Sequence, residues 1–156
     1  MIARLLGIAV PPAVLLALMA FWPFGCSSPP ADAGRPPAFQ AAPYLSLTTT
    51  SVSGGPGALA VDVRTSPQPP QRGTVAVELT VTNVADAAPR DGLTVRVVPW
   101  MPQDDHGASI APVVTAQGDG KYLVTGIDLF MPGRWELRTT FAGPVTDQAA
   151  PAFDVP

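Results

Sequence analysis

Short runs in which apolar and polar residues alternate, separated by glycines and prolines, fill most of the sequence after residue 43. The clearest run is 74–84, where every second residue from Val75 to Val81 is Val or Leu. Successive side chains of a β-strand point to opposite faces, so this alternation predicts a strand with one buried face. The same pattern predicts further strands at 44–52, 59–64, 93–97, 110–117, 122–130, 135–141 and 153–155.

The composition supports an all-β domain. The 156 residues include 20 prolines and 14 glycines, and no segment after residue 43 repeats its apolar residues at the period of a helix. The sequence therefore predicts an immunoglobulin-like β-sandwich of seven to eight strands over 44–156, preceded by an N-terminal signal or anchor helix. Tyr122, which follows Gly120-Lys121, has two interpretations: a tyrosine corner, or a core aromatic residue after a turn.

Residues 1–26 have the pattern of an export signal or a membrane anchor. Arg4 precedes an uncharged stretch, 5–22, of about the length that spans a bilayer. Gly25-Cys26-Ser27 resembles the cleavage site of a bacterial lipoprotein signal, in which Cys26 carries the lipid. Pro23 departs from the aliphatic residue usual three positions before the cleavage. An uncleaved anchor and plain secretion are the alternatives.

The next segment, 27–43, is predicted to be a tether. It contains five prolines in 17 residues, which favours an extended polyproline II conformation over a packed core. At about 3.1 Å per residue, such a tether reaches roughly 50 Å from its attachment point.

The charge balance and the single histidine exclude two classes of function. Nine Lys and Arg against 12 Asp and Glu give a net charge of −3, so the chain lacks the basic surface that binds nucleic acid. His106 has no serine or cysteine partner in a catalytic motif, and Cys26 precedes the domain. Asp104 and Asp105 are more typical of a solvated loop than of a catalytic pair. We therefore expect a protein that is not an enzyme.

Two aromatic-Met-Pro triplets flank the central part of the domain: Trp100-Met101-Pro102 and Phe130-Met131-Pro132. His106 follows the first triplet. If 110–117 runs away from the loop at 99–109 and 122–130 runs back, both triplets lie at one end of the sandwich. This inference requires Gly126 to be a bulge, because a full turn there would reverse the direction of the chain.

Thioether and imidazole groups together suit copper, and Cu(I) in particular. Met101, His106 and Met131 would form a three-ligand site, to which Asp104 or Asp105 adds a carboxylate for Cu(II). The alternative is structural: the two methionines fill the end of the core, His106 is solvated, and the nearby tryptophans are core aromatics.

The order of these motifs resembles the YtkA-like domain, which is related to FixH-type proteins, over about residues 55–142. The resemblance depends on W-M-P-x-x-x-H-G, G-x-Y and F-M-P-G-x-W-E-L. This sequence departs from the family pattern at Gln103-Asp104-Asp105, where small residues or methionine are common. The matching residues are Met101, Pro102, His106, Gly107, Tyr122, Met131, Pro132, Gly133 and Trp135.

The resemblance implies an extracytoplasmic, membrane-anchored protein of the bacterial cell envelope. It implies copper as the cofactor and a role in copper handling or in the assembly of haem-copper oxidases. Its partners would be the membrane, reached through the lipid or anchor, and a protein of the respiratory-oxidase or copper-handling machinery. The alternative is a structural or protein-binding sandwich without a metal.

Overall fold

The computed structural model describes residues 36–156, which form one compact unit. The predictions for the signal or anchor, for Cys26 and for tether residues 27–35 lie outside these residues. Within the described part, no helix is long and apolar enough to cross a membrane. The strands are β1 Leu45–Ser51, β2 Pro56–Ser66, β3 Gly73–Asn83, β4 Thr94–Met101, β5 His106–Gly107, β6 Val113–Gly118, β7 Lys121–Leu129, β8 Gly133–Ala142, β9 Asp147–Ala149 and β10 Ala152–Val155.

The all-β fold predicted from the alternation is confirmed. The strands follow one antiparallel hydrogen-bonded order, β5-β4-β8-β9-β1-β2-β3-β7-β6, and β10 also pairs with β8. This sheet curls into two layers. The first contains β1, β2, β3, β7 and β6, and the second contains β5, β4, β8 and β10. Strand β9 pairs with both β1 and β8, so it joins the layers at one side.

Alternating side chains from both layers form the core. Val75, Val77 and Leu79 of β3 are buried, as the sequence pattern predicts. Trp135, Leu137 and other residues of β8 oppose them from the second layer. The largest side chains with almost no exposure are Trp135, Tyr122, Phe141, Leu59, Leu79, Ile127, Leu129 and Leu137.

The predicted loop at 99–109 is wrong at its start and at two residues inside it. Strand β4 continues through Pro99 to Met101, and β5 occupies two further residues of the loop. Pro99 is tolerated because the residue opposite it, Leu137, donates its N–H to the carbonyl of Pro151 instead of to β4. No hydrogen bond between Pro99 and Leu137 therefore depends on an N–H group, which proline lacks. Strand β6 begins at Val113 rather than at residue 110, directly after Pro112.

Gly126 forms a bulge, as predicted from the sequence. The register between β3 and β7 shifts between Val75 and Val77, and Gly126 adopts a φ of 74°. This left-handed conformation favours glycine, which lacks a Cβ. Strand β7 therefore continues past the bulge, and residues 130–132 lie at the same end of the sandwich as the β4–β5 hairpin.

Tyr122 ties β7 to the connection between β3 and β4. Its hydroxyl donates a 2.8 Å hydrogen bond to the carbonyl of Arg90 and accepts a 3.2 Å bond from the N–H of Leu93. A tyrosine corner bonds to backbone a few residues earlier, whereas Arg90 is 32 residues away. Tyr122 is thus a core aromatic residue with a long-range backbone tie.

Residues 36–43, the last part of the predicted tether, belong to the same unit as the sandwich. Gln40 donates a hydrogen bond to the carbonyl of Gln68, and the side chain of Gln68 donates one to the carbonyl of Ala42. These contacts hold the segment against the β2–β3 loop, at the end of the sandwich where β7 finishes. Strand β10 also finishes there, because Val155 pairs with Gly133.

Candidate metal centre

Met101 and His106 are opposite each other across the β4–β5 pair. Directly opposed residues of an antiparallel pair have their side chains on the same face, with Cβ atoms about 5 Å apart. Met101 is 2% exposed and belongs to the core, whereas His106 is half-buried. The pair therefore places a thioether at the end of the core and an imidazole beside it, nearer to solvent.

A four-residue turn holds this pair together. Pro102, Gln103, Asp104 and Asp105 are all exposed, and Asp105 has a φ of 53°. Aspartate tolerates this left-handed conformation better than most residues do. The turn that departs from the family pattern thus closes the hairpin and presents two carboxylates to solvent next to His106.

The second triplet meets Met101 at the start of β8. A Cβ built on Gly133 would lie 3.0 Å from the Cε of Met101. The methyl of Met101 thus contacts the turn that contains Met131 and Pro132. Met131 is half-buried and packs against the core. The structure therefore brings all three predicted ligands to one end of the sandwich.

Aromatic rings surround His106. The Phe130 ring stacks on the imidazole, with 5.7 Å between centroids and 21° between planes. The Trp135 ring is nearly perpendicular to the imidazole, with 6.4 Å between centroids and 81° between planes. Its Nε1 donates a 3.0 Å hydrogen bond to the carbonyl of Met131. Trp135 therefore fixes the backbone at the second predicted thioether and also borders the histidine.

Phe130 belongs to this site but was not predicted from the sequence. It is 45% exposed and covers one face of the imidazole. The only indication in the sequence was that Phe130 precedes the second Met-Pro pair, just as Trp100 precedes the first. Trp100 itself lies elsewhere: the Arg138 guanidinium sits 4.4 Å above its ring, on the outer face of β4 and β8.

The histidine has one ring nitrogen suited to bind a metal. Its Nδ1 lies 3.3 Å from the carbonyl of Gly107. A carbonyl can only accept, so this contact is a hydrogen bond only when Nδ1 carries the proton. That tautomer leaves the lone pair of Nε2 available.

The chemistry of the donor groups limits what can bind here. Among residues 36–156, no three His, Cys, Asp or Glu side chains are grouped as a metal site would require. Two thioethers and one imidazole fit a soft monovalent ion.

The sequence model of the YtkA-like family matches residues 56–140, which is more than half of the chain. The chain belongs to the YtkA-like family. The YtkA-like region runs from the first residue of β2 into β8, so it contains Met101, His106 and Met131. No curated protein sequence matches the chain significantly.

Two solved structures of FetP from uropathogenic Escherichia coli are similar to this fold. A copper-bound variant is 7% identical, covers 70% of this chain and 95% of its own, and has a TM-score of 0.42. The as-isolated protein is 8% identical, covers 70% and 94%, and has the same TM-score. Both likenesses are remote.

Proposed function

We propose that this YtkA-like protein is a membrane-tethered, extracytoplasmic copper-binding accessory, and that Met101, His106 and Met131 bind Cu(I). It would serve copper handling or the assembly of a haem-copper oxidase, through a protein partner of that machinery. The observation that carries the proposal is the cross-strand pair of Met101 with His106, placed against the turn that holds Met131.

The roles of the three residues follow from their burial. The buried thioether of Met101 is positioned by the core, so it would be the fixed ligand. The half-buried His106 supplies Nε2. Met131 lies in a turn whose backbone is held by Trp135, so its side chain can adjust while the turn stays in place. Copper bound there would be partly shielded from water by the ring of Phe130, because that ring covers one face of the imidazole.

NMR can follow each proposed ligand separately, because residues 36–156 contain only two methionines and one histidine. Protein labelled with ¹³C at the methionine methyls gives two methyl signals, which the Met131→Leu variant assigns. We expect both methyl signals and the His106 ring signals to shift on titration with Cu(I), or with Ag(I) as a redox-inert substitute. Shifts confined to other residues, or no shifts, would reject the site.

Affinity provides the second measurement. In a chelator competition for Cu(I), the His106→Ala, Met131→Ala double variant should bind at least about tenfold more weakly than wild type, since it leaves one ligand. Gln117→Ala, at the opposite end of the sandwich, is the matched control and should bind as wild type does. Equal binding by the double variant and wild type would leave the structural, metal-free alternative.

The membrane tether in this proposal is supported by the sequence of 1–26 alone. Lipidation at Cys26 predicts that the full chain sediments with membranes and that its mature N-terminal peptide carries a lipid mass. Cys26→Ser should then leave the protein unprocessed. Membrane attachment of an unprocessed wild-type chain would identify an uncleaved anchor instead, and release of the chain would identify plain secretion.

A further inference from the structure

Strand β6 has an open edge. It is the last strand of the hydrogen-bonded order and pairs with β7 on one side. Within residues 36–156, no strand pairs with its other side. The backbone N–H and C=O groups on that side form a template to which another strand can add.

This edge lacks the usual protection against pairing. No charged residue occurs from Gly107 to Gly118, although a charge in an edge strand is a common means of preventing edge-to-edge association. The one proline, Pro112, precedes the strand, and the register irregularity lies at its far end, between Ala116 and Gly118. From Val113 to Ala116 the strand is therefore regular, with neither a proline nor a bulge.

Apolar side chains accompany the open edge. Ile110 and Val113 are each 62% exposed, and they are two of the five large hydrophobic residues that the described part exposes. Ile110 and Val114 also line a cavity of about 470 Å³ against β4. An added strand would thus gain apolar contacts as well as main-chain hydrogen bonds.

The other end of the sheet is different. Strand β5 covers the last residues of β4, and its hairpin carries Asp104 and Asp105. The uncovered part of β4 exposes Arg96, so two copies that paired there in an antiparallel manner would bring two guanidinium groups close together. Like charges opposite each other destabilise a strand pair. Self-association therefore favours β6.

We propose that two copies of this chain associate through β6, with the two strands antiparallel about a twofold axis. A twofold interface uses the same patch on both copies, so the patch must complement itself. An uncharged strand does so in every register, because no like charges meet. β-Branched side chains such as Val113 and Thr115 suit the cross-strand pairs that result.

The interface would be small, so we expect a weak dimer. A short ladder with a few flanking apolar contacts falls at the low end of specific interfaces, below roughly 1,200 Å². Dissociation in the micromolar range is the expected behaviour. The dimer does not depend on the proposed metal, and it should form equally with and without copper.

The test is sedimentation equilibrium of residues 36–156, which include every described strand and the whole described core. Wild type should change from monomer to dimer with concentration, whereas Val113→Lys should remain monomeric. Val52→Lys is the matched control, because Val52 is also an exposed valine, at 65%, and lies away from β6. A monomeric wild type up to about millimolar concentration, or the same dissociation constant for Val113→Lys, would overturn the proposal.

A cross-linking experiment identifies the strand. Residues 36–156 contain no cysteine, so Thr115→Cys introduces a single thiol on β6. Thr48→Cys introduces one on β1, at a residue that is also exposed and that pairs with Ala60 of β2. Mild oxidation should convert a larger fraction of the Thr115→Cys variant to a disulfide-linked dimer. Equal or greater cross-linking of the Thr48→Cys variant would place the contact elsewhere and reject β6 as the interface.

Discussion

The carboxylate of Asp147 accepts a 2.7 Å hydrogen bond from the hydroxyl of Thr49, 98 residues away, and both side chains are buried. The same carboxylate oxygen also accepts the backbone N–H groups of Ala58 and Leu59. Asp147 is the first residue of β9, the strand that joins the two layers. This acid therefore links three strands where the sheet folds over.

Asp147→Ala should lower the free energy of unfolding by about 3 kcal/mol, because it leaves buried donors without an acceptor. Thr49→Val should cost about 2 kcal/mol, and the double variant should cost less than the sum of the two. Urea unfolding gives these values. The exposed Asp104→Ala is the control, expected within about 0.5 kcal/mol of wild type. Additive losses would show that the two residues act independently.

Tyr122→Phe should lower the free energy of unfolding by about 1–2 kcal/mol. The change leaves the carbonyl of Arg90 and the N–H of Leu93 without their partner and keeps the ring in place. Tyr44→Phe is the comparison, because no hydrogen bond to the Tyr44 hydroxyl occurs within residues 36–156. Equal urea midpoints for the two variants would contradict the importance of the long-range tie.

Gly133→Ala should both destabilise the fold and disturb Met101. Gly133 has a φ of 128° and sits against the methyl of Met101, whereas Gly73 has a φ of 109° with open space where a Cβ would go. Both alanine variants should lose about 1–3 kcal/mol through backbone strain. Only Gly133→Ala should shift the Met101 methyl signal and weaken Cu(I) binding. The same shift in Gly73→Ala would mean that strain, rather than contact, reaches the site.

Asp86 should titrate below the usual range of an aspartate. The backbone N–H of Ala88 and the side-chain amide of Asn83 both donate to its carboxylate, and they lower the pKa of Asp86. The pKa of Asp86 is therefore lower in the folded chain than in the unfolded chain. The ionised carboxylate stabilises the fold at pH values above the unfolded pKa, and this contribution is lost as the pH falls through the folded pKa. In an NMR titration, Asn83→Ala should raise the pKa only partly, because Ala88 has the larger effect. A pKa that does not respond to this change would exclude the side-chain contribution.

Alternation was sufficient to predict most strands and their buried faces, because a period of two is a local property of the chain. It also allowed the bulge at Gly126 and the common location of the two triplets to be inferred. The extension of β4 through Pro99 was not predictable, since it depends on where the N–H of Leu137 points. Strand β9 was missed for a similar reason: its three residues are held by Asp147, whose partners are distant in sequence.

The candidate site was likewise predictable from the sequence only in part. The candidate ligands were chosen by residue type, and their location at one end of the sandwich followed from strand direction. The stacking of Phe130 on His106 and the contact of Gly133 with Met101 depend on distances between segments that no local pattern encodes. Whether the three residues bind copper stays a prediction, because it depends on ligand geometry around an ion.

The position of the termini affects how copper binding can be measured. The described chain starts beside the β2–β3 loop and finishes with β10 opposite Gly133, and both places are at the end of the sandwich that carries His106. A polyhistidine purification tag on either end of residues 36–156 would therefore bring several imidazoles next to His106, where they would compete for the added metal. The exposed β1–β2 turn at Ser53 and Gly54, at the far end, is the better place for an affinity handle, because no atom lies within 4 Å of where a Cβ of Gly54 would be.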